Sequence, residues 1–196
     1  MPLQSFLVKP YLAFMLVTTL VHTEEELQQI YDLNQQNLKQ NISAEEREQE
    51  GFVSWLYSID LLQQMHQLAP SIIVKDDNKV VGYALATLPE ARVFHPDLEE
   101  MFKGLETVTY KSQPLFDYRF YCMGQICVAK EYRGQGLVNS LYQMHKEVYR
   151  PQYNFLLTEI STRNPRSQKA HEKVGFRTIH TRTDSMDEWN VVVWEW

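Results

Sequence analysis

Apolar positions along this chain recur with two periods, near two residues and near 3.6, and each switch between them marks an element. Tyr11 to Val21 is apolar and reads as a first strand. Thr23 to Glu26 has capping-box spacing, and Leu27, Ile30, Tyr31, Asn34 and Leu38 follow at helical spacing. A second helix is predicted from Ala44 to Leu68, with Phe52, Trp55, Leu56, Ile59 and Leu62 on one face. Aromatic residues at that spacing read as core. Ser71 to Lys75 and Val80 to Leu88 are strands around an Asp76-Asp77-Asn78 turn, a hairpin signal.

The run Pro89 to Asp117 lacks a strand pattern and holds one short helical stretch, Asp97 to Leu105. A connection of this length is either a binding-site lid or a tolerated surface insertion, and the sequence leaves both open. Phe120 to Val128 is the next strand, and Gly124 inside it predicts a bulge or a close approach by a ligand. A helix runs from Gly136 to Arg150 and stops at Pro151. Asn154 to Ile160 is a strand. Asn164-Pro165 then caps a helix that Gly175 ends. Phe176 to Thr181 and Trp189 to Trp196 close the chain as an antiparallel pair. This order predicts an α/β fold: a mixed sheet with helices on its faces.

Composition changes the picture little and charge changes it more. The 196 residues, 44% hydrophobic and 22% charged, fit one globular domain. A net charge of −6 argues against binding nucleic acid by general attraction. The segment from Val128 to Arg177 nevertheless carries nine Lys/Arg against four Asp/Glu, so the remainder carries −11. A basic zone in an acidic protein suits a polyanionic small ligand on one side and leaves room for a cationic one elsewhere. Cys122 and Cys127, five apart in one strand, cannot pair and fit a reducing, cytoplasmic setting. The apolar run at Tyr11 is too short to span a membrane and lacks a small-residue cleavage site, so no membrane association is expected. Residues 1–13 read as an arm and 14–196 as one domain. No His, Cys, Asp or Glu set has metal-ligand spacing, and no metal is expected.

Candidate chemistry centres on Lys130-Glu131-Tyr132-Arg133-Gly134-Gln135-Gly136-Leu137-Val138. Glycines between a strand and a helix start let several backbone N–H groups face one anion, and the helix adds its positive end. A pyrophosphate is the natural ligand. No Gly-Lys-Ser/Thr follows, which disfavours a phosphate-loop nucleotidase.

Arg133 and Gly136 fill the first two defined positions of a Q/R-x-x-G-x-G/A pattern. Asn164, His171, Glu172, Lys173, Gly175 and Phe176 fall in N-x6-[Y/H]-E-K-x-G-F. With the hairpin Asn78 to Ala84 and this order of elements, the chain resembles the GNAT superfamily of acetyl-CoA-dependent N-acetyltransferases from about Phe14 to Trp196. Residues 89–117 match least. Val138 stands where the family has Gly or Ala, and His171 where many members have tyrosine.

The resemblance implies a mostly antiparallel sheet of six to seven strands with about four helices. It also implies acetyl-CoA as co-substrate and an amine, small-molecule or peptide, as acceptor. The backbone of Ile126, Cys127 and Val128 would pair with the pantetheine arm. Arg133, Gly134, Gln135, Gly136, Leu137 and Val138 would take the pyrophosphate through N–H groups, with the Arg133 side chain contributing. Asn164, Arg166, Ser167 and Lys169 would lie along the far side of the cofactor. His171 is the candidate general acid and Glu159 the candidate base, either directly or through water. Glu159 pairing with Arg163 or another cation is the alternative, and a water chain could serve as the base instead. Tyr118 and Tyr121 would orient the acceptor or close its pocket. The competing reading is a CoA-binding sensor of the same fold with little catalysis. Trp194 and Trp196 either form the edge of a homodimer or pack internally.

Overall fold

The structure, a computed structural model, describes residues 16–196. The arm expected over 1–13 and the start of the first strand lie outside them. The chain runs β1 (Leu16–Leu20), α1 (Glu24–Gln36), α2 (Ala44–Glu50), α3 (Ile59–Leu68), β2 (Ile72–Asp76), β3 (Lys79–Thr87) and α4 (Pro96–Glu106). A two-residue pair, β4 (Thr109–Tyr110) and β5 (Gln113–Pro114), leads into β6 (Phe120–Val128). The rest is α5 (Leu137–Tyr149), β7 (Phe155–Ser161), α6 (Pro165–Val174), β8 (Arg177–Thr183) and β9 (Glu188–Glu195). Seven strands form one sheet in the order β1-β2-β3-β6-β7-β9-β8. Every pairing in it is antiparallel except β6 with β7. The mostly antiparallel α/β sheet expected from the sequence is the one observed. No helix among the described residues is long and apolar enough to cross a membrane.

Helix α1 carries the capping box: Thr23 accepts from Glu26 N, and Glu26 accepts from the Thr23 N–H. The single helix expected over Ala44 to Leu68 is instead α2, an extended segment and α3. Gly51 takes a φ of +80°, and its N–H bonds to Arg47 O, which ends α2. Ser58 then restarts the helix by accepting from Leu61 N. Phe52, Trp55 and Leu56 therefore sit on the connecting segment and not on a helix face.

Buried polar side chains hold that segment in place. Asn34, 1% exposed, donates to Trp55 O and accepts from Tyr57 N, both at 3.0 Å. Gln125 donates to Trp55 O at 2.8 Å, and Asn164 to Phe52 O at 3.1 Å.

The core has two parts. The larger joins α1, α3 and α5 to β1, β2 and β3. The smaller lies beneath residues 96–115, where Phe102, Leu105 and Leu115 pack with Phe120, Phe155, Val191 and Val193. The segment 89–117 is thus rooted in core and is no loose surface insertion. Trp194 is 7% exposed and packs on Tyr142 and Phe176, while Trp196 donates to Tyr153 O. Both tryptophans pack on the chain's own rings, and β9, which carries Trp194, lies between β7 and β8 and not at either edge of the sheet.

A break in the middle of the sheet matters most for function. Ala84 faces Ile126 and Ala86 faces Met123, so β6 advances three residues against two of β3. This is the bulge expected at Gly124, and it falls on Gly124-Gln125. A Cβ on Gly124 would lie 2.8 Å from the Tyr57 hydroxyl oxygen and would collide with Thr87 Oγ1. Pairing of β6 with β7 reaches only to Cys122 opposite Leu157. Thr158 Oγ1 donates to Met123 O at 2.8 Å, and beyond that bond the strands part.

Asn34 fixes the 51–58 segment over this break. Asn34→Ala would leave the buried Tyr57 N–H without its partner and Trp55 O with Gln125 alone. We expect a loss of about 2–4 kcal/mol in unfolding free energy by urea titration. A loss below about 0.5 kcal/mol would show that the segment holds itself in place.

Candidate active site

Two cavities open along the break. The larger, ≈ 430 Å³, runs from the free edge of β6 to the start of α5 and is lined by Ile126, Cys127, Val128, Arg133, Gly134, Gly136, Leu137 and Val138. The smaller, ≈ 150 Å³, lies on the other side of the bulge. Phe52, Val53, Ile126, Asn164, Ser167 and His171 line both, so the cavities meet at these residues.

The larger cavity suits an anion. Gly134 and Gly136 have φ of +77° and +81°, a region that disfavours side chains, and space around each is open to beyond 4 Å. Gly136 caps α5 without a side-chain bond, so the first N–H groups of a 13-residue helix face the opening. Arg133, Arg166, Lys169 and Lys173 line it, against one carboxylate, Glu50.

Several expected ligand side chains have other work here. Arg133 donates to Val128 O, to Asn37 Oδ1 at 2.6 Å and to Glu50 at 3.4 Å. Its guanidinium braces the loop and is not free for a phosphate, which corrects the role expected for that side chain. Gln135 is exposed, donates to Glu131 O and does not line the cavity. Asn164 caps α6 by accepting from Ser167 N while donating to Phe52 O. Val138 does line the cavity, on the first turn of α5, partly buried against the core. Burial raises both thiols, Cys127 to about 12 and Cys122 well above its ordinary value, so both are inert.

His171 lies at the junction but is 2% exposed with both ring nitrogens engaged. Nδ1 sits 2.8 Å from Ser167 O, which can only accept, so Nδ1 carries the hydrogen. Nε2 then accepts from the Tyr142 hydroxyl at 2.6 Å. Burial pushes the ring pKa down to about 4, and it is neutral at neutral pH. A ring so arranged has no proton to give into the cavity, which counts against the general-acid role expected of it. Glu159 lines the smaller cavity and makes a bidentate pair with Arg182, at 2.6 and 2.8 Å. Burial raises its carboxyl above the ordinary range, against the opposing pull of Arg182.

Tyr118 and Tyr121 are not brought to either cavity. Tyr118 donates to Tyr110 O beside Phe155. Tyr121 is fully buried among His145, Tyr149 and Tyr153. The acceptor role expected of both is corrected accordingly. The smaller cavity is lined instead by Trp55 and Tyr57 from the 51–58 segment, Asp97 and Glu100 from α4, and Arg182, Asp184 and Trp189 from β8, β9 and their turn. Tyr57 is 3% exposed and reaches the bulge, with no hydrogen-bond partner for its hydroxyl among the described residues.

The sheet is parted at one parallel pair, with a bulge at the parting and a glycine turn before an uncapped helix. The model of the acetyltransferase (GNAT) family matches residues 27–176, and the chain belongs to that family. Solved structures agree in fold. The ribosomal-protein-S18-alanine N-acetyltransferase of Escherichia coli is similar at 14% identity and TM-score 0.60, over 92% of this chain and 94% of that one. A chain of the NatC complex bound to Gag peptide and CoA is similar at 15% identity and TM-score 0.63, over 92% and 98%. Arabidopsis thaliana NAA60 in complex with acetyl-CoA is similar at 10% identity and TM-score 0.60, over 92% and 99%. No curated protein matches the sequence.

Two buried histidines link stability to pH. His145 and His171 are both pushed down to about 4 by burial, below the ordinary value near 6.5. The unfolded chain therefore binds more protons between about pH 6.5 and 4. Their contribution is complete above that window and lost as pH falls through it, on the order of 3 kcal/mol each. Urea midpoints at pH 7 and pH 5 should differ, and the double variant His145→Gln, His171→Gln should show a shallower slope. An equal slope would contradict neutral rings in the folded state.

Proposed function

We propose that the protein transfers an acetyl group from acetyl-CoA to a primary amine by direct attack on the thioester. The observation that carries this reading is the meeting of a basic and an acidic cavity at the parted strands. Ile126, Cys127 and Val128 offer backbone groups that β7 leaves unpaired, suited to the amides of a pantetheine arm. The N–H groups of 134–138 suit a pyrophosphate, and Arg166, Lys169 and Ser167 flank it. The bulge at Gly124-Gln125 exposes backbone N–H groups where negative charge develops on the thioester oxygen.

In this proposal the amine enters through the smaller cavity and attacks the carbonyl carbon while the carbon–sulfur bond breaks. Glu159 takes the amine proton, directly or through water, and its raised pKa favours that role. Tyr57, protonated and unpaired at the bulge, supplies the proton to the leaving thiolate. His171 positions the α6 turn through Ser167 and Tyr142. Two free, buried thiols support a reducing compartment, the cytoplasm.

Thiol release from acetyl-CoA, measured against a panel of primary amines, tests the reading. Glu159→Gln should lower kcat by about 100-fold or more with acetyl-CoA affinity by calorimetry within about twofold. CoA binding without transfer to any amine would favour the sensor reading.

Val138 narrows the approach to the first N–H groups of α5. Val138→Ala should tighten CoA binding about threefold, roughly 0.7 kcal/mol. An unchanged or weaker affinity would show that valine does not obstruct the turn.

A further inference from the structure

The smaller cavity carries more negative charge than acetyl transfer to a simple amine requires. Asp97, Glu100, Glu159 and Asp184 line it, and Arg182 is the single guanidinium among them. Four carboxylates face one guanidinium, and Asp97 also has His95 beside it at 3.7 Å. Arg182 is already committed to Glu159 and, at 3.3 Å, to Asp184. Glu100 makes no ion pair within 4 Å among the described residues, although Arg182 feels its field. Arg163 pairs with Asp187 and Lys103 with Glu99, so neighbouring cations are taken up elsewhere.

The walls are aromatic as well as acidic. Trp55, Tyr57 and Trp189 line the same cavity, and ring faces attract cations. Trp189 Nε1 in this wall is buried without a hydrogen-bond partner among the described residues, and a ligand acceptor would complete it. The carboxylates come from three separate elements: Glu159 of β7 and Asp184 of the β8–β9 turn are buried, while Asp97 and Glu100, one turn apart on α4, stand at the more exposed mouth. An anionic or wholly neutral acceptor would leave them uncompensated.

We propose that the acceptor is a small diamine or polyamine. One amino group reaches the thioester at the junction, and a second, still protonated, is held by Asp97 and Glu100 against the aromatic wall. This rests on the acetyl-transfer reading above. It assigns α4 as the element that selects the substrate.

The test compares 1,4-diaminobutane and spermidine with 4-amino-1-butanol, which keeps the reacting amine and loses the second charge. kcat/KM should be about tenfold or more higher for the cationic pair, a difference of about 1.4 kcal/mol. Asp97→Asn with Glu100→Gln should bring the ratio to within about threefold through KM, with CoA affinity unchanged. Equal kcat/KM for the amino alcohol, or a preference for peptides with neutral side chains, would overturn the proposal while leaving acetyl transfer standing. Spermidine binding without acetyl-CoA, followed by tryptophan fluorescence, separates the two readings. Binding that the double variant weakens about tenfold supports the acidic site even where no acetyl group moves. No binding to either protein overturns it.

Discussion

Everything functional in this molecule depends on the parting of β6 from β7 after Met123. A parallel pair in mid-sheet normally satisfies its backbone along its whole length. Here the last contact is the Thr158 hydroxyl on Met123 O, and the two strands then leave each other. The opening is enforced locally. The Gly124 bulge turns β6, and Tyr57 and Thr87 fill the space where any side chain at 124 would stand. Backbone donors and acceptors at 126–128 are thereby left facing a cavity, and a ligand with amide groups can satisfy them. A regular strand would close the sheet and remove both cavities together.

Around that opening, polar side chains act mainly as struts. Asn34 and Gln125 together grip Trp55 O and Asn164 grips Phe52 O, two backbone carbonyls of the 51–58 segment, and Arg133 ties the glycine turn to Val128, Asn37 and Glu50. His171 links Ser167 to Tyr142 across two helices. These residues lie at positions where a sequence motif suggests ligands. Their physical effect is to hold backbone N–H groups in fixed directions, so a motif position can matter for binding without its side chain touching the ligand.

The cofactor side was legible in the sequence because it is built from backbone, and backbone geometry leaves marks. Gly134 and Gly136 occupy left-handed conformations, Gly124 a bulge, and Asn164-Pro165 a helix start. The smaller cavity, the proposed acceptor side, left no such mark. Its residues come from the 51–58 segment, α4, β7 and the β8–β9 turn, and only the folded sheet unites them. Glu159 was visible as a lone charge in an apolar strand, but its partner Arg182 lies 23 residues on, across β9. Periodicity misled at Ala44 to Leu68: apolar spacing carried the helix through Gly51, whose positive φ ends it. The β4–β5 turn was hidden because Lys111 and Ser112 take positive φ where glycine or asparagine is the usual signal. Tyr118 and Tyr121 were drawn towards the site by proximity along the chain, yet neither reaches either cavity.

Charge then orders what the geometry permits. The two cavities share one junction but not one sign, with four cations lining the far end of the larger and four carboxylates lining the smaller. A polyanion and a polycation entering the same slot would each be drawn to its own end, and their reactive groups would meet near Gly124. The arrangement carries its own constraint, because the field that attracts an ammonium also resists its loss of a proton. Arg182 bears on both sides of that conflict. By pairing with Glu159 and Asp184 it lowers the negative potential closest to the junction, while on α4 Glu100 has no ion pair among the described residues and Asp97 has His95 beside it at 3.7 Å. The potential is therefore arranged to hold a charge away from the reacting amine and to weaken where that amine must become neutral.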